Sequence, residues 1–321
     1  MPNANEFPAP KLIAINGIEL SVHETGAGPA IVLLHGFPEL AYSWRHQLPA
    51  LAAAGYRAVA PDLRGYGGSS KPPAVADYRQ ERLMDDIAGL LDALGESQAV
   101  FVAHDWGALL AWQMALLRPE LMRGLVCLNI PFIPRMLRDP IEVMRERLGP
   151  HFYIVNFQDS DEADREFESD PRRFIDRMMR KNVITREKYE ALPPERKVIS
   201  LLATMRRAEP QGEPLLSNEY LDYYADAFAN GGFKGPIHWY RNWSDNWRST
   251  EGVEQTIRVP TLFIGATDDV VVPLRQIEAM KPHIPDLEMH MLDNCGHWSQ
   301  QERPRDINRL IIDWLGRRFP A

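Results

Sequence analysis

Apolar and polar positions alternate with period two from Leu12 to His23 around Asn16-Gly17, which predicts a β-hairpin with a type I′ turn. The unbroken apolar run Ala30-Ile31-Val32-Leu33-Leu34 suits a strand buried on both faces. Trp44, Leu48, Leu51 and Ala52 then fall on one face of a helix over 43–54, ended by Gly55. A short strand at 57–60 and a helix at 78–94 follow, the latter with Leu83, Ile87, Leu90, Leu91 and Leu94 in one stripe. Val100-Phe101-Val102 reads as a strand, Leu109 to Leu117 as a helix, and Gly124 to Asn129 as another strand. This rhythm predicts an α/β fold, a parallel sheet wrapped on both faces.

The rhythm stops at Ile130-Pro131-Phe132-Ile133-Pro134. From 135 to 250 the chain is charged and helical in period, with no convincing strand. Strand–helix alternation resumes at 260–265, with a helix at 274–281, a strand at 287–292 and a last helix near 304–317. The expected organisation is a flexible tail over 1–10, a core made of 11–134 and 251–321, and a helical cap over 135–250. Such a block sits over the carboxyl ends of the strands, where open α/β sheets bind ligands. Within it the basic run from Arg172 to Arg186 follows acidic residues 159–170, and reads as a solvated face with local charge pairing.

Composition narrows the partners. With 321 residues, 45% hydrophobic and 25% charged, the chain suits a soluble globular protein, and a net charge of −8 argues against nucleic acid. Neither a leader pattern nor an apolar run long enough for a membrane span is visible, which points to the cytoplasm. Cys127 and Cys295 read as buried free thiols.

The chemistry centres on Ala103-His104-Asp105-Trp106-Gly107-Ala108, between a strand and a helix. Small-x-nucleophile-x-small at such a turn is the pattern of a nucleophile elbow, with Asp105 where other enzymes carry serine. A carboxylate there opens a strained or activated carbon and leaves an ester, which points towards epoxides or alkyl halides. A helix cap is the simpler use of an aspartate at this place. His297, in a loop past the last strand, has the position of a general base. Thr267-Asp268-Asp269-Val270 offers two carboxylates that could orient it, and Asn129 cannot serve as a charged partner. His35-Gly36-Phe37-Pro38 supplies a turn whose Phe37 N–H, with that of Trp106, would form an oxyanion hole.

On these residues the chain resembles the α/β-hydrolase-fold epoxide hydrolases, in the soluble branch with bacterial and plant members. The matching stretches are His35-Gly36-Phe37-Pro38-Glu39, His104-Asp105-Trp106-Gly107, Leu128-Asn129-Ile130-Pro131-Phe132-Ile133-Pro134, Gly232 to Asn242, and Cys295-Gly296-His297-Trp298. The resemblance implies a mostly parallel eight-stranded sheet with an inserted cap. It runs from about residue 20 to the C-terminus, without the phosphatase-like domain of the longer animal enzymes. It makes Asp105 the nucleophile, His297 the base, and Tyr153 and Tyr240 donors to the epoxide oxygen. By its spacing to Gly265 and Pro273 it favours Asp268 over Asp269 as the acid. Phe37, Pro38, Trp106, Phe132 and Trp239 would line an apolar pocket. No metal or organic cofactor is implied, and the protein would be a monomer or homodimer acting on a small epoxide.

The main rival is a haloalkane dehalogenase with the same aspartate. Phe37 cannot donate to a halide, whereas Trp239, Trp243 and Trp247 could. A non-catalytic receptor on this fold is the alternative from another class.

Overall fold

The computed structural model describes residues 7–321. Eight strands form the main sheet: β1 (Lys11–Ile15), β2 (Ile18–Thr25), β3 (Ala30–Leu34), β4 (Arg57–Pro61), β5 (Ala99–His104), β6 (Met122–Leu128), β9 (Thr261–Ala266) and β10 (Leu287–Leu292). Their spatial order is β1-β2-β4-β3-β5-β6-β9-β10, with β2 antiparallel to both its neighbours and every later pairing parallel. Asn16 and Gly17 both have positive φ, as a type I′ turn requires.

The central strands β3, β5 and β9 are buried at every position, which explains their unbroken apolar runs. Period two is still present. Ile31, Leu33, Val100 and Val102 face α1 (Gln47–Ala53) and the C-terminal helix, in a core with Leu48, Leu51, Ile311 and Trp314. Val32, Leu34, Phe101 and Ala103 face the other way, into a core shared with α2 (Gln80–Leu94) and α3 (Trp106–Leu117). That second core runs on without a break into the inserted block.

The block between β6 and β9 holds α4 (Pro140–Leu148), α5 (Tyr153–Asp159), α6 (Glu162–Ser169), α7 (Pro171–Met178), α8 (Arg186–Glu190), α9 (Leu201–Arg206), α10 (Asn218–Gly231), α11 (Lys234–Arg241) and α12 (Trp243–Ser249). It also holds two short strands unforeseen in the sequence, β7 (Arg180–Lys181) and β8 (Glu213–Pro214), which pair antiparallel. The chain closes with α13 (Leu274–Met280), α14 (Ser299–Glu302) and α15 (Pro304–Arg318). Among the described residues, no helix is long and apolar enough to cross a membrane.

One expectation changes. Of the tail expected over 1–10, residues 1–6 lie outside the described residues, but Phe7 packs edge-on against Tyr42, and the Pro8 carbonyl lies 2.6 Å from His23 Nδ1. The described part of this end is therefore tied to the core. The basic run is paired locally as expected, Arg180 with Asp176 four residues before it, and the Arg173 N–H donates to Asp170 of the acidic stretch. Arg173, Arg177 and Arg180 donate to backbone carbonyls at Arg207, Ala208, Gln211 and Gly212, while Arg206 and Arg241 neutralise Glu162, Glu166, Asp161 and Asp164.

Candidate active site

β3 pairs with β4 on one side and β5 on the other, so the strand order switches between β3 and β5. A crevice opens at the carboxyl ends of such a pair. His35 to Glu39 leave β3 there, and Asp105 leaves β5. Asp105 has φ 50° and ψ −119°, a conformation that costs on the order of 1–3 kcal/mol for a residue with a side chain. Two glycines make room for it. A Cβ on Gly107 would lie 2.2 Å from the Leu34 carbonyl oxygen, and one on Gly36 would lie 2.4 Å from Asp105 Cβ. Gly107 is thus demanded by the backbone of β3, and Gly36, in the turn after β3, by the aspartate.

The carboxylate of Asp105 has two unlike oxygens. Oδ1 accepts a hydrogen bond from the Phe37 N–H at 2.8 Å, and Oδ2 lies 3.5 Å from His297 Nε2. The Trp106 N–H, at the first position of α3, has no partner within the helix. The Phe37–Pro38 bond is cis.

His297 follows β10. Its Nδ1 lies 2.9 Å from Asp269 Oδ2. This corrects the expectation for Asp268, whose Oδ1 instead accepts the Arg186 N–H at 2.8 Å. Asp269 is fully enclosed, and its second oxygen accepts from the Val271 N–H. Burial raises its pKa, but the charge and hydrogen bond of His297, then Asn129 and Val271, outweigh this and leave it below the ordinary value. For His297, burial lowers the pKa. The charge of Asp269, hydrogen bonds to Asp105 and Asp269, and the charge of Asp105 raise it well above the usual imidazole value.

Asn129, set aside in the sequence as uncharged, holds this acid. Its Nδ2 donates to Asp269 Oδ2 at 2.9 Å and to the Gly296 carbonyl, and its Oδ1 accepts from the Ser299 hydroxyl at 2.5 Å. Below the site lies a second arrangement that the sequence reading missed. Buried Glu39 accepts from the Gly36 N–H at 2.9 Å and meets His104 Nδ1 at 2.7 Å, while His104 Nε2 lies 2.8 Å from the His297 carbonyl. Gln300 and Gln301 donate to the other Glu39 oxygen. Both partners stood inside the quoted motifs, and a histidine directly before the elbow was the available signal.

Over Asp105 stands a group of rings from the cap. Tyr240 on α11 lies edge-on to Phe37 at 5.4 Å and to Trp106 at 4.9 Å, and Tyr153 at the start of α5 lies 5.8 Å from Tyr240. Burial, foremost, and the Asp105 carboxylate both raise the pKa of each phenol. Trp239 packs on Trp106, but its indole N–H donates to the Arg64 carbonyl; that of Trp247 donates to the Met136 carbonyl. These two indoles, which the dehalogenase reading kept available, are committed to backbone. Phe132 is also placed apart from the expected pocket. Its ring lies against Trp112 and His283, because the chain after β6 turns back along α3. A cavity of about 180 Å³ follows α3 from Trp106 past Leu109 to Gln113, roofed by Trp239 and Trp243.

Residues 29–304 match the family described as alpha/beta hydrolase fold. Epoxide hydrolase A of Mycobacterium tuberculosis is 41% identical over 96% of this chain and 97% of its own. The chain belongs to the epoxide hydrolases of this fold. Bifunctional epoxide hydrolase 2 of Sus scrofa is 39% identical over 93% of this chain and 53% of its own, so the chain spans about half the length of that mammalian relative. Among solved structures, epoxide hydrolase A of Mycobacterium thermoresistibile superposes with a TM-score of 0.87 at 40% identity, covering 96% of this chain and 98% of the other. Similarity to epoxide hydrolases therefore extends through the helical cap as well as the sheet.

Proposed function

We propose that this epoxide hydrolase converts a small organic epoxide to a vicinal diol through an ester on Asp105, as a cytoplasmic enzyme. The observation that carries this reading is the unlike surroundings of the two Asp105 oxygens beneath two cap phenols, Tyr240 buried and Tyr153 half-buried. Oδ2, clear of the Phe37 N–H, attacks a ring carbon, and the carbon–oxygen bond breaks on the side facing the cap. Tyr153 or Tyr240 gives its proton to the departing oxygen. Loss of the Asp105 charge in this step removes a carboxylate that held both phenols protonated, so the donor becomes more acidic as it is needed.

The same loss prepares the second step. In the free enzyme two carboxylates face His297 and favour its cation. Once Asp105 is esterified only Asp269 remains, and the neutral imidazole needed to take a proton from water is more populated. Water adds to the ester carbonyl carbon, its proton passes to His297, and the negative charge on Oδ1 rests against the Phe37 and Trp106 N–H groups. Collapse expels the diol oxygen, which takes the proton from His297. The carboxylic proton left on Asp105 replaces the one the tyrosine gave.

A single turnover in heavy-oxygen water tests this sequence. The first diol released should carry ordinary oxygen from Asp105, with heavy oxygen left in the protein. Heavy oxygen in that first diol means direct attack by water, and the covalent reading is then wrong.

A further inference from the structure

Resting on that reading, we infer that Arg186 of the cap is a positioning residue for the ester-hydrolysis step, holding the loop that presents Asp269 to His297. Its Nε donates to the Thr267 carbonyl at 3.0 Å, and its Nη2 donates to the carbonyls of Val272, at 2.9 Å, and of Asp269 itself. Its own N–H is held by Asp268 at 2.8 Å. One guanidinium thus gathers three carbonyls of a loop that is otherwise closed by short turns, by the Leu292 and Cys295 carbonyls, by the Asn294 N–H on Thr267 and by Asn129 on Asp269. A planar fork with five donors suits that task, and a lysine ammonium does not.

The same stretch of cap reaches the base. The carbonyl of Met178, at the end of α7, accepts the indole N–H of Trp298 at 2.9 Å, and Trp298 directly follows His297. Trp298 is buried and packs against the rings of His297 and His104. Residues 178–186 therefore tie the acid loop at one end and the base loop at the other. Asn129 and the Asp268 N–H join the two loops from the core, and this segment of cap adds a second tie that sets how closely Asp269 approaches His297. Asp105 is held separately, by the elbow and by Phe37, so attack on the epoxide does not depend on the tie.

The two half-reactions separate these roles. In rapid-quench experiments with an epoxide such as styrene oxide, Arg186→Ala should form the Asp105 ester at the wild-type rate. It should hydrolyse the ester about 10- to 100-fold more slowly, the scale of misplacing a catalytic group by about 1 Å. Intact-protein mass spectra then show ester accumulating at steady state, and added guanidinium at sub-denaturing concentration restores part of the loss. Trp298→Phe, which cuts the other tie, should show the same split; so should Arg186→Lys, which serves where the alanine variant does not fold. Unchanged hydrolysis in folded Arg186→Ala overturns the inference, as does an equal fall in both half-reactions. A His297→Gln control that traps no ester removes the covalent reading itself, and this inference falls with it.

Discussion

At the scale of single residues, adjacent carboxylates with the same composition have different chemistry because of what each oxygen meets. Asp268 is spent on the cap, where it accepts the Arg186 N–H, whereas Asp269 lies 2.9 Å from Nδ1 with Asn129 and Val271 holding its remaining lone pairs. Asp269→Asn should leave ester formation intact and slow hydrolysis about 10³- to 10⁴-fold, because an amide neither fixes the tautomer nor stabilises the imidazolium. Asp268→Asn keeps an acceptor for the Arg186 N–H and should keep hydrolysis within about tenfold of wild type. Single-turnover assays on both variants decide the assignment. Trapped ester in Asp268→Asn but not in Asp269→Asn would reverse it.

At the scale of elements, the elbow shows why much of the site can be read from sequence. Gly107 is imposed by the backbone of β3 and Gly36 by Asp105 itself, so small residues in the sequence mark the turn. Gly107→Ala puts a Cβ 2.2 Å from the Leu34 carbonyl oxygen, a backbone atom that moves only with its strand. The substitution should destabilise the protein by about 3 kcal/mol or more, measured by urea denaturation, and abolish activity in whatever remains folded. The acid was not readable in the same way. Which of two neighbouring side chains points at His297 depends on the Asp268 N–H bonding to the Cys295 carbonyl and on Arg186 reaching over from the cap. Those contacts join segments about 27 and 82 residues apart, and no local pattern carries them. Phe132 misled for a related reason: an aromatic residue has the same local signature in a pocket wall and in a core. The central strands, by contrast, were legible because burial on both faces writes itself into every position.

At the scale of the whole molecule, the site is assembled from both halves of the sheet, and Glu39 is where they are fastened. It joins the turn after β3, the end of β5 through His104, the backbone of His297 after β10, and Gln300 and Gln301 of α14. Burial raises its pKa, yet the charge and hydrogen bond of His104, the Gly36 N–H and the charge of His35 bring it down to about 2. An unfolded glutamate titrates near 4.5. The folded state therefore binds the proton less readily than the unfolded chain. The stabilisation this represents is complete above about pH 4.5 and disappears as pH falls towards about 2. A shift of that size corresponds to on the order of 3 kcal/mol. Glu39→Gln cannot ionise, so its unfolding free energy should lie below that of wild type by about this amount at neutral pH. The gap should close on acidification through that window, because the protonated wild-type side chain then resembles the amide. Urea denaturation of both proteins across a pH series measures the gap directly. A gap that stays constant down to pH 2 would mean that Glu39 acts through its shape and hydrogen bonds alone, and that its charge does not hold the two halves of the site together.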